Sequence, residues 1–145
     1  MNAYADTGFL ISLYGQDAHS GQARALDRRH RPVYWVTELG EAEFTNAVQG
    51  SVFRLNWRLS EAAAVLSLFR DHVETGALEQ KALPAEVWKT TTTLSLLHTQ
   101  KLGTRTLDVL HVATALLLMP DVLFTFDRRQ RQLARAVRLR VLPAD

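Results

Sequence analysis

Val122-Leu123-Phe124-Thr125-Phe126-Asp127-Arg128-Arg129-Gln130 decides how the rest of the chain reads. Val122 to Phe126 is apolar, aromatic and β-branched, which predicts a strand. An acid, Asp127, follows it directly, and a basic stretch from Arg128 to about Ala136 predicts a helix. Pro120 and Asp121 turn the chain into the strand. Ahead of them Thr106 predicts the cap of a helix over 107–119, and beyond the basic helix Arg140-Val141-Leu142 predicts a last strand.

The same alternation recurs toward the N-terminus. Residues 3–6 predict a short strand, followed by the apolar run Phe9-Leu10-Ile11-Ser12-Leu13-Tyr14 and a polar helix over about 17–31 that Pro32 ends. Val33-Tyr34-Trp35-Val36 predicts a second strand, after which Thr37 caps a helix through Val48 that Gly50 stops. Ser60 caps a helix from Glu61 toward Thr75, with Gly76 at its end. A short strand near 78–83 follows, and Pro84 opens a helical stretch over 85–102 closed by Gly103. Strands alternating with helices predict an α/β sandwich with a mostly parallel sheet, and no repeat, low-complexity tract or linker divides it.

A chain of 145 residues suits one domain, 1–145, and a domain of that size buries roughly two thirds of its unfolded surface. At 47% hydrophobic and 22% charged residues, the composition is that of a globular protein and not of a disordered one. The absence of cysteine excludes disulfides, thiolate zinc sites, iron–sulfur clusters and cysteine nucleophiles. Asp6 interrupts the first apolar run before a signal peptide can form, and the longest apolar stretch, Val112 to Met119, is too short to span a bilayer. A cytoplasmic protein is the expectation. The net charge is only +2, but arginines crowd into Arg128, Arg129, Arg131, Arg135, Arg138 and Arg140, and again into Arg24, Arg28, Arg29 and Arg31 beside His30.

Asp6 ends the first strand and Asp127 follows a later one, so in an open parallel sheet both lie at the carboxyl ends of strands, where such folds bind ligands. Each also has a structural reading: Asp6 as a turn residue, Asp127 with Gln130 as a capping box. Asp108 opens a helix that is apolar on nearly every face, so it is expected to be buried; an unpaired carboxylate there costs several kcal/mol unless it is neutral, paired or bound to a cation. The helix dipole favours a first-turn acid by only about 0.3–1 kcal/mol, and Arg105 is an alternative salt-bridge partner. Glu43 sits beside the apolar seam of Phe44, Ala47 and Val48, but Glu38 and Glu41 fit a site equally well by spacing. Periodicity does not choose among the three.

Four segments carry a family resemblance: Tyr4-Ala5-Asp6-Thr7-Gly8-Phe9-Leu10, Glu43-Phe44-Thr45-Asn46-Ala47, Arg105 to Ala115 around Asp108, and Phe124-Thr125-Phe126-Asp127-Arg128-Arg129. Together, in this order, they resemble a PIN domain, most similar to VapC-type toxins, over essentially the whole chain. The resemblance implies a three-layer α/β/α sandwich and an acidic constellation of Asp6, Glu43, Asp108 and Asp127, and it is what selects Glu43 over its neighbours. It departs from the family pattern at Gly8, where a hydroxyl or amide residue is common; Thr7 and Thr125 are candidates to support Asp6 instead.

What the resemblance implies is a metal-dependent endoribonuclease, the toxin of a toxin–antitoxin pair. Clustered carboxylates repel, and oxygen ligands select Mg2+ or Mn2+ over zinc, so one or two such ions are expected. Asp6 and Asp108 are the expected principal metal ligands, Glu43 a ligand or water-orienting base, and Asp127 a second-site or water-mediated ligand, with 5′-phosphate and 3′-hydroxyl products. An RNA substrate, a cognate antitoxin and a homodimer are the implied partners, with no membrane. Phe53, Trp57 and Leu66, placed on one helix, are candidates for the antitoxin's groove.

The arginine runs can contact RNA backbone or be merely solvated. Trp35, Trp57 and Trp88 read as core before base-stacking platforms, and His111, one turn after Asp108, reads as a satisfied core group before a site residue. Two rivals stand against the nuclease. Phosphoryl transfer on Asp6 lacks the accompanying acids such domains have, and a PIN-like module that binds RNA or protein without cutting is disfavoured by retention of all the acids. No Gly-rich phosphate loop or Gly-x-Ser-x-Gly elbow is present.

Overall fold

The computed structural model describes residues 1–144. Its centre is a sheet of five strands, all parallel: β1 (Asn2–Ala5), β2 (Val33–Thr37), β3 (Leu78–Lys81), β4 (Val122–Phe124) and β5 (Val141–Leu142), in the order β3-β2-β1-β4-β5. Between them run the helices α1 (Thr7–Tyr14), α2 (Ser20–His30), α3 (Glu38–Phe53), α4 (Leu59–Glu74), α5 (Val87–Leu94), α6 (Gln100–Leu102), α7 (Thr106–Leu118) and α8 (Arg128–Ala136). A wider π turn, Ser95–Thr99, joins α5 to α6.

Side chains alternate across the pleat, and each face finds its own helical layer. Ala3, Ala5, Val36, Val122 and Phe124 pack with Phe9, Leu10, Ala23, Phe44, Val48, Ala62 and Phe69 from α1 to α4. Tyr4, Leu123 and Val141 point the other way, to Val87, Leu94, Val109, Leu110, Val112, Leu133 and Ala134 from α5, α7 and α8. Three layers, α/β/α, follow from that alternation. Burial on both faces is why the central strands read as unbroken apolar runs.

Several element ends differ from expectation. Gly50 does not stop α3, which runs on to Phe53: buried Val48 and Ser51 hold this turn to the core, the Arg54 side chain folds over Gly50, and the Ser51 hydroxyl donates to the Ala47 carbonyl at 3.0 Å. Packing outweighs the roughly 1 kcal/mol that a mid-helix glycine costs. Arg58 rather than Ser60 precedes α4, its N–H donating to Glu61 at 2.6 Å. Thr106 lies inside α7, and Arg105 is its cap position. Gly103 does end the helical stretch, in a left-handed conformation with φ +62°.

The strand order places the sheet's switch point at β1 and β4. The chain crosses from β1 to β2 on one side, while β4 docks on the other, so the loops after β1 and β4 diverge and open a crevice at their carboxyl ends.

Candidate active site

Asp6 leaves β1 directly into that crevice and caps α1. Its Oδ1 accepts the Phe9 N–H at 2.7 Å and its Oδ2 accepts the Thr125 hydroxyl at 2.6 Å. Thr125, the residue after β4, is fully buried, and its Oγ1 also accepts the Asp127 N–H at 3.0 Å. Asp127 in turn caps α8, accepting the Gln130 N–H at 2.9 Å. The two strand-end acids are therefore helix caps as well as pocket residues, joined through one hydroxyl. Asp127 itself is exposed.

Asp6 is 2% exposed. Burial pushes its pKa up, against the opposing pull of His111, Thr125 and the Phe9 N–H, while Asp127 adds to the rise. Asp108, in contrast, is only half-buried, which corrects the expectation that it lies deep in an apolar helix. The first turn of α7 emerges at the pocket rim, where even Leu107 is 47% exposed, and Asp108 Oδ2 accepts the Arg105 N–H at 2.9 Å. Among the described residues Asp108 has no ion pair with Arg105; the contact is to its main chain.

Glu43 reaches the crevice from α3, whose Phe44 and Val48 lie in the core. Its Oε2 accepts the Thr7 hydroxyl at 3.1 Å and pairs with His111 Nε2 at 2.5 Å. Burial raises the Glu43 pKa, but the His111 hydrogen bond and charge, with Thr7, outweigh it and leave it low. Burial lowers that of His111, and Glu43 first, then Asp6 and Asp108, more than reverse this. Thr7 thus supports Glu43, whereas Thr125 supports Asp6. At Gly8 an added Cβ would sit 3.7 Å from Asp6 Oδ1, in ordinary van der Waals contact. Glu41 instead accepts from Gln80 at 3.0 Å and Glu38 is exposed, which leaves Glu43 as the acid of this helix that lines the crevice.

All four sequence-derived acids line one pocket of about 500 Å³, with Thr7, Gly8, Arg105, His111 and Gln130 around them. As they stand, no three carboxylate or imidazole groups among the described residues are gathered closely enough to hold a metal ion. The donor chemistry nonetheless fits a hard divalent cation: the acids supply only oxygen, and one oxygen each of Glu43, Asp108 and Asp127 carries the hydrogen bonds described above. Gln130 Oε1 is buried in the pocket wall with no hydrogen-bond partner among the described residues, an acceptor that such a site's water can satisfy.

A neighbouring cleft of about 540 Å³ holds Arg128, Arg131 and Arg135, with His19 and Phe126 stacked at 4.6 Å. Of the tryptophans, Trp35 and Trp57 pack against the core and Trp88 is 61% exposed. Phe53, Trp57 and Leu66 do not share a helix: Phe53 ends α3, Trp57 lies in the following loop and Leu66 is in α4. His111, which sequence spacing reads as a core group, is both buried and in contact with an acid. Its distance of one turn from Asp108 is the sole sequence signal of that role.

A parallel α/β/α sandwich with acids gathered at its switch point is the class that fold and site define. The model of the PIN domain matches residues 3–136, and the chain belongs to the PIN domain family. Among solved structures it is similar to the Mycobacterium tuberculosis toxin VapC20, described as cleaving the sarcin–ricin loop, with 16% identity, 92% of this chain and 94% of that one covered, and a TM-score of 0.67. VapBC2 from Rickettsia felis, solved bound to a DNA fragment from its promoter, matches at 16% identity over 97% of each chain with a TM-score of 0.66. PAE2754 from Pyrobaculum aerophilum matches at 17% identity over 97% of this chain and 83% of that one, with a TM-score of 0.60. A search of curated proteins by sequence finds no match.

Proposed function

We propose that the chain is a Mg2+- or Mn2+-dependent endoribonuclease of the VapC type, the toxin of a toxin–antitoxin pair, hydrolysing RNA phosphodiester bonds at Asp6, Glu43, Asp108 and Asp127. The observation that carries this reading is the convergence of four acids from four separate segments on one pocket at the switch point. Such convergence sets like charges together and costs stability unless a cation offsets it.

A divalent ion bound there supplies Lewis-acid stabilisation of phosphodiester charge and activation of water. The chain's own residues do the rest. Asp6 and Asp108 are the principal ligands in this reading, Glu43 a ligand or the group that orients water, and Asp127 the outer ligand, for one or two ions. Asp6 is held by the Phe9 N–H and Thr125, so its position is set before any ion arrives. The arginine-lined cleft beside Asp127 offers phosphate contacts that fix the strand without reading its sequence.

A cognate antitoxin is the partner that the VapBC2 likeness supports, and a homodimer and a cytoplasmic setting belong to the same reading. No described helix is long and apolar enough to cross a membrane. The second reading, a PIN-like module that binds RNA or protein without cutting, is favoured by one observation: the acids are not close enough as they stand to chelate.

Incubation with single-stranded and structured RNAs, a sarcin–ricin loop among them, separates the two readings. The nuclease gives cleavage in Mg2+ or Mn2+, none in EDTA, and 5′-phosphate and 3′-hydroxyl ends. RNA binding without cleavage in either metal assigns the module instead.

A further inference from the structure

Between the sheet and α7 lies a buried titratable side chain for which the proposed chemistry has no task. His111 is 2% exposed, and both ring nitrogens are engaged, Nδ1 with the Tyr4 hydroxyl at 2.8 Å and Nε2 with Glu43 Oε2 at 2.5 Å. Tyr4 projects from β1 and is 1% exposed. Its burial holds the phenolic proton in place far above the usual tyrosine range, so its O–H is available to donate. A neutral ring that accepts at Nδ1 carries its proton on Nε2, and that proton points at the carboxylate.

Direction along Tyr4, His111 and Glu43 is set by the carboxylate, which only accepts: Nε2 donates to Glu43, and Nδ1 of the neutral ring is left to accept from Tyr4. The carboxylate needs such a hold, because a glutamate side chain otherwise samples several rotamers. His111 and Thr7 both engage Oε2, and Oε1 stays available. The same three residues tie together β1, α7 and α3, the elements from which Asp6, Asp108 and Glu43 enter the pocket.

We infer that His111 is the positioning residue of Glu43: its Nε2–H, oriented by the Tyr4 hydroxyl, fixes one carboxylate oxygen so that the other is presented to the acidic pocket. The inference rests on the nuclease reading of that pocket, and its test keeps the two apart. Nitrogen-15 spectra of the ring in the full chain at pH 8.5 should show Nε2 protonated. In RNA cleavage with Mg2+, His111→Leu should lower kcat about 10–100-fold, the range for groups that orient a metal's ligands, with KM for RNA changed less than about twofold. His111→Gln, whose amide N–H can reach Glu43, should recover most of that loss, and Tyr4→Phe should lose less than His111→Leu.

A proton on Nδ1 alone overturns the inference, as does wild-type kcat in His111→Leu, or equal impairment of the Leu and Gln variants. A wild-type chain that cuts no RNA sinks the nuclease reading by itself. The ring spectrum, with the carbon-13 shift of the Glu43 carboxyl in wild type and His111→Leu, then still decides the positioning: a shift that moves supports it, and one that stays contradicts it.

Discussion

The Asp6 carboxylate is held by geometry while burial opposes its charge. A carboxyl whose pKa is raised by folding adds stability below its unfolded value of 3.8, and that contribution is lost as pH rises through the folded value. At neutral pH, well above that unfolded value, burial of this group therefore works against folding of the metal-free protein. Asp6→Asn keeps an oxygen for the Phe9 N–H and removes the charge. Calorimetry in EDTA at pH 7.5 should show its Tm above that of the wild type by about 2–4 °C, the change expected for about 1 kcal/mol. The gain should shrink toward pH 4, and the Tm rise that Mg2+ gives the wild type should be absent from the variant. Thr125→Val tests the other side of the same contact. It keeps the shape but removes the donor to Asp6 and the acceptor of the Asp127 N–H, and should lower kcat by about 10–100-fold and stability by about 1–3 kcal/mol, read from single-turnover cleavage and urea melts.

Glycines give opposite expectations at the scale of the element. At Gly15, which ends α1, an added Cβ would lie 2.3 and 2.5 Å from Trp57 ring carbons and 2.8 Å from the Ile11 carbonyl oxygen. Gly15→Ala should cost about 1–3 kcal/mol in a denaturant melt, because a packed indole and a backbone oxygen cannot both give way. At Gly50, inside α3, the nearest atom is the mobile end of Arg54 at 3.0 Å. Gly50→Ala should stabilise by about 0.4–1 kcal/mol, since alanine has fewer unfolded conformations to lose. Most elements are legible in the sequence because their pattern and their packing agree, as in β1, β4 and α8. Where tertiary contacts decide, the ends shift. Gly50 is a helix stop by propensity but lies in a turn whose neighbours are in the core, and Arg58 displaces Ser60 because Glu61 reaches back to its N–H.

Across the whole molecule, the alternation of helix and strand fixes a parallel sheet, and the parallel sheet fixes where acids matter. Asp6 and Asp127 are legible for that reason. Asp108 is legible by a different physical cause from the one its helix suggests: the α7 sequence is apolar enough to be buried, but its first turn stands at the rim, and the buried titratable side chains of the pocket are Asp6 and His111. Glu43 is beyond reach of periodicity. Choosing it over Glu38 and Glu41 requires knowing that α3 turns Phe44 inward and brings the preceding residue against Thr7 and His111, contacts whose partners are 36 and 68 residues away in sequence. Family resemblance supplies that choice where local pattern has nothing to offer.

The most direct measurement is single-turnover cleavage of one RNA by the wild type, Asp6→Asn and Asp108→Asn, each in Mg2+, Mn2+ and EDTA. The four-carboxylate site predicts cutting by the wild type with either ion, none in EDTA, and a loss of at least about 100-fold in both variants, about 2.7 kcal/mol of transition-state stabilisation. Cleavage that persists in EDTA, or wild-type rates in both variants, would contradict it.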